Sequence, residues 1–124
     1  MQKTKDPYFD YDLIEEVKDL ACANIEELLT SLDVDFRQNG KMFCGACPVH
    51  GGDNLSAWNL YPEGEEVRGY WVCRTHHCEK KENDKGRLLY GSTIIGFVRG
   101  VLSRQSGRHV GYKKAIDYII SFRS

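Results

Sequence analysis

Two short segments hold most of the side chains in this 124-residue chain that can do chemistry. FCGACPVHGGDN, residues 43–54, carries Cys44, Cys47 and His50. WVCRTHHCEK, residues 71–80, carries Cys73, His76, His77 and Cys78. Thiolates and imidazoles paired on two tight turns are the pattern of a tetrahedral metal site, above all zinc, because each turn presents two ligands with little chain ordering. Cys47-x2-His50 forms one pair, and Cys73 with Cys78, separated by four residues, forms the other. The 22 residues from 51 to 72 can form a hairpin that brings the turns together.

The candidates outnumber the four places of such a site. Cys44 would complete an all-cysteine set, and His76 lies at the commoner x2 spacing from Cys73; His77 is the weakest of them. The preferred set is Cys47, His50, Cys73 and Cys78. Pro48 stiffens the first turn so that His50 points back. A thiolate also outcompetes a neighbouring imidazole for zinc when both can reach, which favours Cys78 over His76. Neither the two-histidine helical motif of zinc proteases nor the His-x-Glu…Pro-Cys-x-x-Cys pattern of deaminases occurs. Four protein ligands leave no open position for water, so one structural Zn2+ is expected, with function on the surrounding surface. The fifth cysteine, Cys22, sits in a helical pattern and reads as a small buried hydrophobe.

The elements that must carry these turns are legible as pattern. Residues 12–22 alternate as a helix with Leu13, Val17, Leu20 and Ala21 on one face. Asn24 with Glu27 has the form of a capping box opening a second helix, with Ile25, Leu28, Leu29 and Leu32 as its apolar stripe. Val34 and Phe36, the pair Asn39-Gly40 and then Met42 predict a hairpin. SAWNLY and VRGYWVC read as two further strands joined by the turn PEGEE, and residues 79–90 as a polar loop. Ser92 or Thr93 caps a helix carrying Ile94, Ile95, Phe97, Val98, Val101 and Leu102; SRQSGRHVG follows as a linker. YKKAIDYIISF closes the chain as an amphipathic helix with Ala115, Ile116, Ile119 and Ile120 inward. The expected fold is one α+β domain: a helical lead-in (1–32), a small antiparallel zinc-ribbon sheet (33–90) and C-terminal helices (91–124).

Composition is that of a globular domain, 41% hydrophobic and 28% charged. No apolar run is long enough to suggest a membrane span, and MQKTKDPYFDYDLIEE lacks the apolar stretch of a signal peptide, so a cytoplasmic location with no membrane partner is expected. The charge is uneven. Residues 1–38 hold four basic against ten acidic residues, while residues 99–124 hold six against one. The basic end is a candidate surface for an anionic partner.

Taken together, NIEELLTSLDVDFRQNGKMFCGACPVHGGDN, YWVCRTHHC and GSTIIGFVRGV resemble the zinc-binding domain of bacterial- and phage-type DNA primases, over roughly residues 24 to 103. The setting looks most like a phage primase, which would place it in the host cytoplasm. The resemblance implies that Cys47, His50, Cys73 and Cys78 hold the zinc, and Cys44 falls on a variable family position. Two departures stand out: the family's second turn is usually Cys-x2-Cys, and the stretch from Glu79 to Tyr90 is longer than expected. The resemblance also implies recognition of a single-stranded DNA template site in support of primer synthesis. The polymerase chemistry would belong to a separate domain, for which 124 residues leave no room. That domain and the replicative helicase are the implied partners. Single strands are held by aromatic faces and basic groups, so Arg74 and His76 on the second turn are the first candidates for template contact. Arg68, Trp58, Tyr61, Lys80 and Lys81 follow. The alternative is a zinc-ribbon module that binds protein through its C-terminal helices.

Overall fold

The computed structural model describes residues 10–64 and 68–123. Residues 1–9, the last two residues of the expected PEGEE turn (Glu65 and Glu66), the Val67 start of the fourth strand and Ser124 lie outside them. Helix α1 (Tyr11–Ala23) begins at Asp10, whose carboxylate accepts from the amides of Asp12 and Leu13. It is followed by α2 (Ile25–Ser31). Asn24 separates the two but is no capping box: its side chain makes no cap bond, and Nδ2 instead donates to the Leu20 carbonyl. Glu27 is taken up by an ion pair with Arg123 at the far end of the chain, 3.0 Å away.

Four strands follow, β1 (Arg37–Asn39), β2 (Met42–Gly45), β3 (Trp58–Tyr61) and β4 (Tyr70–Cys73), in an antiparallel sheet of that order. Asn39 pairs with Met42, so the two-residue loop is Gly40-Lys41, one position later than the Asn-Gly signal suggests. Gly40 takes the positive φ (+63°) that such a loop demands. Val34 and Phe36 precede the strand they were expected to open; the ladder begins at Arg37.

Strand alternation then sorts the sheet into two faces. Phe43, Trp58, Leu60, Trp71 and Cys73 point inward and are buried. Cys44, Asn59 and Tyr61 belong to the outer face. The inner face packs on α3 (Ile94–Ser106), where Phe97 stacks on Trp58 at 5.2 Å and meets Trp71 edge-on at 5.4 Å. Thr93 is the cap of α3, its hydroxyl accepting from the Gly96 amide. The helix runs to Ser106, so the linker is shorter than SRQSGRHVG. Helix α4 (Tyr112–Ser121) buries Ala115, Ile116 and Ile119, but Ile120 is 51% exposed, because the inward stripe spans a narrower arc than the apolar residues do. Helices and sheet share one core, a two-layer α+β domain. Among the described residues no helix is long and apolar enough to cross a membrane.

Candidate metal centre

The first turn leaves β2 at Gly45 and is closed by two backbone bonds to the Cys47 carbonyl, from Gly51 (3.0 Å) and Gly52 (3.1 Å). Helix α3 holds this turn from beneath. Gly100 passes so close to Val49 that a Cβ there would lie 2.8 Å from a Val49 methyl. One turn further along, Arg104 donates to the His50 carbonyl (3.3 Å). The second turn leaves β4 at Cys73. His77 returns its amide to the Cys73 carbonyl (3.0 Å), and Arg74 donates its amide to Ala57 (2.8 Å), which ties this turn to the approach to β3. His77 adopts a left-handed conformation (φ +50°), which lets the chain double back into the short 3₁₀ turn Cys78–Lys80.

These turns bring Cys47, His50, Cys73 and Cys78 together, with their ligand atoms all within 4.8 Å of one another. The sulfurs of Cys47 and Cys78 are 3.8 Å apart. His50 Nδ1 lies 3.2 Å from the Cys78 sulfur and 3.5 Å from that of Cys73. A tetrahedral ion with metal–sulfur bonds of about 2.3 Å and metal–nitrogen bonds of about 2.0 Å requires edges of about 3.8 Å and 3.5 Å respectively. The donor set therefore fits one tetrahedral metal ion. The three thiols are completely or almost completely buried.

The electrostatics point the same way. The hydrogen bond between Cys47 and Cys78 holds the Cys47 thiol down, at about 5, and the same bond, with burial, pushes Cys78 well up. Two thiols this close share one proton, which a bound cation would displace.

The surroundings orient the ligands. The backbone amide of His76 donates to the Cys73 sulfur (3.4 Å). Glu79 is 3% exposed, and its Oε1 accepts from the Cys73 amide at 2.9 Å. One carboxylate thus links the residue after one ligand to the backbone of another, across the x4 spacing that departs from the usual x2. Nothing in the sequence singles out Glu79 from the polar run around it.

The remaining predicted residues are distributed as follows. Cys44 is on the outer face of β2, turned away from the cluster by strand alternation. His76 is exposed and outside the cluster, its ring 3.9 Å from that of His50. Cys22 is a buried free thiol, as expected. Arg74 lies across the outer sheet face: Nε donates to Asn59 Oδ1 (2.6 Å) and Nη2 to the Tyr61 hydroxyl (3.5 Å). Tyr61 in turn stacks with Tyr70 at 6.1 Å. Lys80 and Lys81 are exposed. One expectation fails. Trp58 has no accessible surface, because the Phe97 stack places it in the core, and it has no face to offer a base. Arg68 pairs with Asp19 of α1 (2.6 Å) and keeps 39% of its side chain exposed, at the end of β4 remote from the metal turn.

Compared with known protein families, curated proteins and solved structures, the chain matches none.

Proposed function

We propose that the ion is zinc, held structurally, and that this chain is the zinc-binding domain of a DNA primase that reads single-stranded template beside a polymerase domain and a helicase. Three thiolates and one imidazole suit zinc, and a four-ligand protein set leaves the ion no exchangeable position. The observation that carries the reading is Arg74. It follows ligand Cys73 directly, is itself exposed, and is held by Asn59 and Tyr61 on the outer sheet face next to the Tyr61–Tyr70 pair. A guanidinium beside aromatic rings supplies the phosphate contact and stacking surface that single-stranded DNA uses, at about 1–3 kcal/mol per stacked base.

The test is titration of the zinc-loaded chain with short single-stranded DNA. Binding should fall steeply with salt, and Arg74→Ala should weaken it several-fold while zinc content and fold are retained. Unchanged affinity in Arg74→Ala removes that residue from the contact surface, and an absence of DNA binding by the wild type overturns the reading. A second reading, a protein-binding module, draws on the apolar groove between α3 and α4, lined by Leu102, Val110 and Tyr118. Binding there would be insensitive to salt.

A further inference from the structure

The polar stretch after the metal site is not an irregular loop but a miniature hairpin. Leu89 donates its amide to the Lys81 carbonyl (2.8 Å) and Asn83 to that of Arg87 (2.8 Å), around a bridge between Glu82 and Leu88. The tip is locked by the Asn83 side chain, whose Oδ1 accepts from the amides of Lys85 (2.9 Å) and Arg87 (3.1 Å). Its base is the 3₁₀ turn at Cys78–Lys80, so the hairpin springs directly from a metal ligand. Residues 80–88 are all exposed. They hold four cations, Lys80, Lys81, Lys85 and Arg87, against Glu82 and Asp84, a balance of +2. Among the described residues none of the four cations makes an ion pair.

From this we infer that the hairpin of residues 81–89 is a second contact for single-stranded nucleic acid, gripping the phosphate backbone where the strand leaves the outer sheet face. The inference rests on the proposed template-binding role and extends it to a separate element. Antiparallel pairing makes Lys81 and Arg87 diagonal neighbours on one face, within the roughly 7–8 Å of such pairs. Two cations are thus presented together on an ordered backbone. Leu88, 53% exposed, adds an apolar contact on the other face. Arg74 and the hairpin leave opposite ends of the same turn, Cys73 to Cys78, so one metal ion fixes both.

The deciding measurement is the salt dependence of oligo-dT binding by the zinc-loaded chain. Each phosphate contact to a single strand contributes about 0.7 to the slope of log K against log salt, so Lys81→Ala/Arg87→Ala should lower the slope by about 1.4. Lys18→Ala/Lys41→Ala removes the same charge from acidic surroundings, where Lys18 pairs with Glu15 and Lys41 lies by Glu26, Glu27 and Glu63, and should leave the slope unchanged. Asn83→Ala keeps every charge but unlocks the tip, and should weaken binding. If the wild type binds and the hairpin variant keeps its slope, or if both double variants lose it equally, the hairpin is not a contact, while the template reading stands. If the wild type does not bind, both fall.

Discussion

Glu79 sets the terms at the scale of single residues. A buried carboxylate beside three thiolates is costly unless its hydrogen bond is needed. Here that bond fixes the Cys73 amide and so closes a turn longer than the usual one. Glu79→Ala should lower metal affinity about 10–100-fold, measured by chelator competition. Glu79→Gln, which keeps the accepting oxygen, should lose much less, and equal losses would show that the charge rather than the bond matters. Cys22 gives a second prediction. Burial pushes its thiol up to about 11 from an ordinary 9.0, Arg68 pulling the other way. The folded state therefore holds this proton more tightly than the unfolded chain does. The stability it contributes is complete below pH 9 and is lost as pH rises towards 11, by about 2–3 kcal/mol. Denaturation midpoints of wild type and Cys22→Ala should diverge over that window, the variant falling less. Of this layer the four ligands were legible, because ligand chemistry writes itself into spacing. Glu79 was not, since burial is decided by tertiary packing. Nor was the choice between Trp58 and Tyr61 as the exposed ring. Alternation separates the two faces without saying which one α3 will cover.

At the scale of elements, the metal turn depends on its fit to α3. Gly100 leaves room for Val49, and Arg104 secures the carbonyl of the ligand His50. Gly100→Ala would push a methyl into Val49 and should destabilise the domain by about 1–3 kcal/mol in chemical denaturation. Combining it with Val49→Ala should return part of the loss, and strict additivity would argue that the two do not touch. The helices were legible from periodicity and from Thr93 as cap. The capping box at Asn24 was misleading because Asn24 reaches back to Leu20 and Glu27 is claimed by Arg123, a contact 96 residues away in sequence. The 81–89 hairpin escaped notice because it is held by one asparagine side chain and a single bridge, not by an apolar pattern.

For the molecule as a whole, the two ligand turns staple the ends of β2 and β4 together, and α3 is packed beneath them. Metal binding free energy is then folding free energy. Removing the ion with a strong chelator should abolish cooperative thermal unfolding and the ordered near-ultraviolet signal, and returning zinc should restore both. A chain that kept a sharp transition after metal removal would show that the core stands without the site. Acid should act as the chelator does, since protons compete for the thiolates; metal affinity should rise with pH across the neutral range.

The burial of both tryptophans carries a practical corollary. Trp58 lies opposite Cys73 in the sheet register, and Trp71 lies two residues before it on the same strand. Their emission reports the interior and the neighbouring metal site, and not the outer face. A single strand settling on that face would be expected to alter the light from Tyr61 and Tyr70 and leave the indole spectrum almost still. Excitation at two wavelengths would therefore separate loss of the ion from occupation of the surface in one cuvette.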